Sequence, residues 1–169
     1  SESVKKYFSH LGLGFKTQRI VYNIIASIGL LILLFYNGTI SSATVIEKNQ
    51  ITKIIALFLG GGGVLIINAA FRQFNSKSFF GLTEEKDVLN KSGILSLIRH
   101  PLYAGTILLA AGFFIYDPRV PTLVSISCIY CYLPIGIYLE EKKLIKKFGQ
   151  LYIEYKKEVP AIIPRINLF

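Results

Sequence analysis

Between residues 92 and 105 the chain reads Ser-Gly-Ile-Leu-Ser-Leu-Ile-Arg-His-Pro-Leu-Tyr-Ala-Gly, which sets Arg99 and His100 at the mouth of an apolar segment. Farther on, Glu140 and Glu141 close the next apolar run. A guanidinium and an imidazole are costly beside hydrocarbon, so ionisable groups in such a place mark a candidate site. Two groups able to carry positive charge and two carboxylates suit a ligand that carries both signs. Arg99, helped by the partial positive charge of a helix N-terminus, favours an anion. Glu140 and Glu141 favour an ammonium group or ribose hydroxyls. Each group also has a plainer role. Arg99 can snorkel to lipid phosphates, His100 can cap a local carbonyl, and the two glutamates can face Lys143 to Lys147 along one helix.

The elements that must position these groups follow from hydropathy. The chain has 169 residues, 52% of them hydrophobic and 17% charged, with mean hydropathy +0.50. This places it in the membrane class. Four apolar runs stand out: Ile20 to Tyr36, Ile54 to Phe71, Leu102 to Tyr116 and Val120 to Leu139. A spanning helix needs about 20 apolar residues, about 17 at the short limit, which runs one, two and four meet. Run three is short, but the tight link Asp117-Pro118-Arg119-Val120-Pro121 predicts an antiparallel hairpin with run four. The expected fold is an all-α polytopic bundle of about four transmembrane helices with interfacial helices beside it. If the N-terminus is cytoplasmic, only Lys48, Lys53 and Arg119 of the 19 basic residues fall outside, as the positive-inside rule requires. The net charge of +9 then reads as topology and contact with an anionic leaflet, not as a nucleic-acid footprint. In that topology the hairpin returns Glu140 and Glu141 to the cytoplasmic face that holds Arg99 and His100. The methionine moiety of S-adenosylmethionine has the matching charge pair, with Tyr103 a polar handle and Gly105 a thin wall one turn into the helix.

Residues 1–19 predict an amphipathic lead-in, with Val4, Tyr7, Phe8 and Leu11 at helical spacing. The 37–53 connection reads as an external loop without chemistry. Gly60 to Gly63 serve either close helix packing or a smooth ligand wall. Residues 72–101 form a long segment in which Thr83 can cap a helix over 84–89 and Gly93 can end it. Pro101 suits the first turn of run three. Past Glu141 the helix continues, with Leu144, Ile145, Phe148, Leu151, Tyr152 and Tyr155 as an apolar stripe and Lys156 and Lys157 on the wet face. Gly149 permits a bend, and Pro160 and Pro164 stop the helix. Cys128 and Cys131 read as small buried apolar side chains. A zinc site would need two more ligands, so no metal is expected. The chain begins at Ser1 without a signal-peptide pattern and contains no Met, as in a processed or shortened chain.

Arg-His-Pro-Leu-Tyr-Ala-Gly (99–105), Tyr-Leu-Glu-Glu (138–141), Phe-Gly-Gln-Leu-Tyr-Ile-Glu-Tyr (148–155) and Val-Pro-Ala-Ile-Ile-Pro (159–164) together resemble the isoprenylcysteine carboxyl methyltransferase-like superfamily of integral membrane methyltransferases, which phospholipid methyltransferases adjoin. Phe79-Phe80-Gly81-Leu82 and Arg19-Ile20-Val21-Tyr22-Asn23 are similar to its bacterial branch of NnrU-type and methanethiol S-methyltransferase proteins. The resemblance implies one domain, with residues 1–71 as N-terminal helices and 72–169 as the cofactor-binding half. It implies a pocket closed by the C-terminal segment, in which Gly93, Leu95, His100, Pro101, Tyr103, Gly105 and Glu140 line S-adenosylmethionine. Arg99 and Glu141 would serve the reaction, Arg99 by orienting a carboxylate. The acceptor would be a thiol, a prenylcysteine-type carboxylate or a lipid head group, met in a prokaryotic inner membrane with the site facing the cytoplasm. Gly93-Ile94-Leu95-Ser96 stands where the family often has Gly-x-Tyr-Arg, and relatives often carry a further helix before the part matching Ser1 onward. Two other readings are an NADPH-dependent reductase of the sterol reductase type, which would want more arginines here, and a membrane scaffold without catalysis.

Overall fold

A computed structural model of the chain describes residues 39–73 and 88–165, with Ile28, Ile32, Tyr36 and Asn37 besides. The chain divides into two compact units, Ser1–Ile40 with Phe74–Glu85, and Ser41–Gln73 with Lys86–Phe169. The second unit holds the elements described here. Helix α1 spans Gln50–Gln73, α2 Pro101–Tyr116, α3 Val120–Phe148 and α4 Gln150–Glu158, with a short 3-10 turn at Gly93–Ser96. No strand is present among the described residues. The lead-in at 1–19, most of the first apolar run, and the Thr83-capped segment except Val88 and Leu89 lie outside them.

Helix α1 starts where Asn49 and Thr52 satisfy each other. The Thr52 amide donates to Asn49 Oδ1 at 2.9 Å and the Asn49 amide to Thr52 Oγ1 at 3.0 Å. This reciprocal cap supplies partners that a helix N-terminus lacks. Its buried residues are Ala56, Gly63 and Ala70, one every seventh position. That seam of small side chains meets Gly105 and Gly112 of α2. A Cβ on Gly63 would stand 2.6 Å from the Leu109 amide nitrogen and 2.7 Å from the Gly105 carbonyl oxygen. A Cβ on Gly112 would stand 2.5 Å from the Gly60 nitrogen. Small residues let backbones approach where both helices are apolar all round and lipid is no worse a neighbour than leucine. Of the four consecutive glycines, Gly63 alone would meet a neighbour with an added Cβ; at Gly60, Gly61 and Gly62 a Cβ would have no described neighbour within 4 Å, although the Gly60 backbone lies against Gly112.

Pro101 occupies the first position of α2, where its missing N–H removes nothing. Helices α2 and α3 form the expected hairpin around a polar knot. Arg119 grips both oxygens of Asp117 at 2.7 Å, and Thr122 Oγ1 donates to Asp117 Oδ2 at 2.9 Å. The 43–48 stretch of the 37–53 connection clasps this knot. The Val45 amide donates to the Pro118 carbonyl at 2.6 Å, the Val120 amide to Ala43 at 3.3 Å, and Lys48 lies 3.7 Å from Asp117. Farther along the hairpin, the Tyr130 hydroxyl donates to the Ile107 carbonyl at 2.9 Å.

Helices α1 and α3 are long and apolar enough to cross a membrane, and only 17% of the most apolar stretch of each is buried. A core helix of a soluble domain would be mostly covered, so the low burial of these two apolar helices suits a membrane protein. Helix α2, at 16 residues, is shorter than a span. The described residues thus supply two of the four expected spans.

Helix α3 runs without a break through Glu140 and Glu141 to Phe148, with Pro134 inside it. Gly149 then takes φ 56°, a conformation open to glycine, and ends the helix. The single bending helix expected past Glu141 is therefore two helices. Tyr152, Tyr155 and Val159 form a small core against Leu89, Leu144, Ile145 and Phe148. Gly93, expected to end a helix, opens the 3-10 turn instead, with φ 58°. Cys128 and Cys131 are exposed rather than buried, on the apolar surface of α3.

Candidate active site

The carboxylate of Glu141 is the hub. Its Oε1 lies 2.9 Å from Arg99 Nη1 and 3.3 Å from His100 Nε2, and its Oε2 lies 2.5 Å from Lys156 Nζ. Arg99, His100 and Glu141 are nearly sealed from solvent, with side-chain exposures of 7%, 2% and 10%. Glu140, 44% exposed, faces the other ring nitrogen of His100 at 3.8 Å. A buried charge is tolerated only when opposite charge and hydrogen bonds compensate it. Here one carboxylate compensates three nitrogen-bearing groups from two segments, the Arg99-His100 step and α4.

Backbone pairing holds the Arg99-His100 step in place. The amide of Arg99 donates to the Pro160 carbonyl and that of His100 to Ala161, both at 2.9 Å. The C-terminal segment thus straps across the residues that carry the two cationic groups. His100 is at the N-cap position of α2, but its side chain makes no capping bond. Its ring is left for Glu141 and for an edge-on contact with Tyr103, 5.7 Å between centroids. Tyr103 in turn lies against Gly136 of α3, where a Cβ would stand 3.0 Å from its hydroxyl.

Some donors in this cluster remain unfilled. Among the described residues, Arg99 Nε and Nη1 and the Tyr152 hydroxyl are buried without a well-aligned hydrogen-bond acceptor. The short Arg99–Glu141 contact is therefore an ion pair without hydrogen-bond alignment. Burial holds the Tyr152 hydroxyl far above the usual phenol range, with Glu141 adding to the effect. It stays a protonated donor. Next to Glu141 opens a cavity of about 390 Å³ between α2 and α3, walled by Ile107, Tyr130, Leu133, Pro134, Ile137, Tyr138 and Ile162. Glu141 is the one charged residue on that wall.

The other sequence-selected residues have supporting places. Gly93 packs on the Gln73 side chain, next to Ser92, whose hydroxyl is 3.3 Å from Gln73 Oε1. Buried Leu95 gives its carbonyl to the Tyr155 hydroxyl at 2.5 Å. Pro101 is fully buried. Gly105 is not brought to the cluster. It faces α1, where a Cβ would stand 2.6 Å from Ile67 Cγ1 and 2.9 Å from the Gly63 carbonyl oxygen, so the thin wall it forms belongs to a helix–helix contact. Sequence reasoning missed Lys156, Tyr152 and Tyr155, which it placed on a wet face and an apolar stripe. The available signal was Gly149, which lets the chain turn and bring α4 back to Glu141. No cluster of three or more potential metal ligands occurs among the described residues.

Known proteins with similar sequences define the class first. No family model matches the chain. It does have homologues among two kinds of methyltransferase, consistent with the isoprenylcysteine carboxyl methyltransferase-like superfamily. A methanethiol S-methyltransferase of Pseudomonas sp. (strain GM41(2012)) is 32% identical over 125 residues, 68% of this chain and 46% of the relative. One from Crocosphaera subtropica is 29% identical over 162 residues, 89% of this chain and 62% of the relative. The protein-S-isoprenylcysteine O-methyltransferase of Saccharomyces cerevisiae is 36% identical over 85 residues, 49% of this chain and 35% of the relative. The chain thus spans from about a third to somewhat under two thirds of these relatives' lengths.

Proposed function

We propose that the chain is an integral membrane methyltransferase that uses S-adenosylmethionine and methylates a lipophilic or small acceptor, a thiol, a prenylcysteine-type carboxylate or a lipid head group. One observation carries the reading. Glu141 gathers Arg99, His100 and Lys156 on one side and lines an apolar cavity on the other, so a single carboxylate borders both a charged cluster and a greasy cavity. The names of the homologues support a methyl donor.

The residues fit this donor. The unfilled donors of Arg99 and the Tyr152 hydroxyl suit its carboxylate, and Glu141 and half-exposed Glu140 suit its ammonium and ribose. When bound, S-adenosylmethionine supplies an electrophilic methyl group on a sulfonium, open to in-line displacement by an acceptor lone pair. The chain's own part is positioning and the exclusion of water. Arg99 and His100, fixed by the backbone strap, orient the ligand. The strap and the Tyr152–Tyr155–Val159 core keep water from the cluster. The apolar wall of the cavity takes the acceptor. A thiolate or carboxylate acceptor needs little help from a base, so the cluster is built to hold and shield. The protein works as a multi-pass protein of a prokaryotic inner membrane, with the cluster on the cytoplasmic face and nucleic acid playing no part. Titration calorimetry of the full chain in detergent with S-adenosylhomocysteine tests the cofactor. Heat at one site per chain is expected, and a folded protein that gives none refutes the reading. Labelled S-adenosylmethionine added to membranes, followed by isolation of the labelled product, identifies the acceptor.

A further inference from the structure

The three nitrogen-bearing groups around Glu141 are not equivalent. Arg99 and His100 share Oε1, are nearly sealed, and belong to a two-residue step tied by two backbone hydrogen bonds to Pro160 and Ala161. The strap fixes their backbone, and burial leaves their side chains no open path to water. Lys156 alone approaches Oε2, from α4, and its side chain is 46% exposed. Four flexible bonds and an open flank let its ammonium move to water, where it regains its hydration. Helix α4 does not depend on this ion pair for its seat. Tyr152, Tyr155 and Val159 are buried, and Tyr155 hydrogen-bonds Leu95. One face of the hub carboxylate is thus permanently taken and the other is held by an exchangeable cation.

We propose that Lys156 is an internal competitor: its ammonium holds Glu141 Oε2 until a ligand's ammonium takes that oxygen and Lys156 swings out to solvent. The inference rests on the reading of the cluster as a site for a zwitterionic methyl donor and specifies how that site discriminates. Without Lys156, Glu141 Oε2 would lose its partner and stand open to another donor or cation. With Lys156 in place, a ligand must offer a better-placed cation together with a carboxylate for Arg99, and an isolated cation gains little. Lys156 is on this view a specificity residue that lowers affinity and raises selectivity.

The test compares wild type with Lys156→Met and Lys156→Gln, each checked for a wild-type-like melting transition and circular dichroism. S-adenosylhomocysteine and its deaminated analogue, which lacks the α-ammonium, are titrated into each by calorimetry in detergent. Losing a half-exposed ion pair as competitor predicts roughly two- to fivefold tighter binding of S-adenosylhomocysteine to both variants. The deaminated analogue should bind wild type and variants alike. Weaker binding of S-adenosylhomocysteine to the variants would instead make Lys156 a ligand contact and overturns the proposal. An equal gain for both compounds, or no change for either, overturns it too. If S-adenosylhomocysteine binds neither wild type nor variants, the cofactor reading fails and the competition with it, which separates that failure from a fault in the role of Lys156 alone.

Discussion

Gly61 and Gly63 lie two residues apart on the same helix and meet opposite surroundings, so alanine at each gives a controlled comparison. In a helix interior, alanine is favoured over glycine by about 1 kcal/mol, and both substitutions collect this gain. They differ in what the new methyl meets. At Gly61 no described atom lies within 4 Å of the added Cβ. At Gly63 the nearest atoms are backbone, the Leu109 nitrogen at 2.6 Å, the Gly105 oxygen at 2.7 Å and the Leu109 Cα at 3.0 Å. Backbone cannot rotate aside, so α1 and α2 must separate. Overpacking of this kind costs about 1–3 kcal/mol. Because the propensity gain is common to both, the difference between the variants isolates the packing cost. For a chain of this size that places the Gly63→Ala midpoint roughly 2–12 °C below the Gly61→Ala midpoint. The assay is thermal unfolding in detergent followed by helical circular dichroism, since the chain has no Trp to report by fluorescence. Equal midpoints, or Gly63→Ala the more stable, would refute close glycine packing of α1 on α2.

Glu141→Gln should be the most damaging of the site substitutions. It leaves sealed Arg99 without a counter-charge, an event that costs on the order of 3–5 kcal/mol, whereas Glu140→Gln at a half-exposed position should leave the melting midpoint nearly unchanged. Tyr155→Phe removes the hydroxyl from the buried Leu95 carbonyl and should lower stability by about 1–3 kcal/mol, read from the same melts. The Asp117 carboxyl is held below its ordinary value of 3.8 chiefly by the Arg119 hydrogen bonds, against the opposing effect of burial, with Thr122 assisting. A depressed folded value means that its contribution is complete above the unfolded value and is lost as pH falls below 3.8 toward the folded one. Melting midpoints measured from pH 7 down to pH 3 should therefore fall less steeply at the acid end for Asp117→Asn than for wild type.

The meeting of Arg99 and His100 with Glu140 and Glu141 was legible because it depends on one inference, that a three-residue link forces runs three and four antiparallel. The helix start at Pro101 was legible for a local reason, the absent N–H. The partnership of Lys156 with Glu141 was not, since residues fifteen apart on one continuous helix stand about 22 Å apart along its axis. Only the turn at Gly149 brings them together, and a glycine announces freedom without its direction. Gly105 was misplaced for a related reason. A glycine on an apolar helix marks a close approach, and either a ligand or a neighbouring helix can make it. The seven-residue spacing shared by Ala56, Gly63 and Ala70 with Gly105 and Gly112 was the clue that favoured the helix. The membrane class followed from hydropathy alone, and two of the four expected crossings have the required length.

The backbone strap also dictates an order of events. While the chain is being made, the amides of Arg99 and His100 have no carbonyl to meet until Pro160 and Ala161 have emerged, although the α2–α3 hairpin beside them is by then complete. Those two donors must be hydrated in the interim, so the Arg99-His100 step stays wet until the C-terminal segment arrives. A ribosome stalled short of Pro160 would leave the α2–α3 hairpin formed and the Arg99-His100 step without its strap.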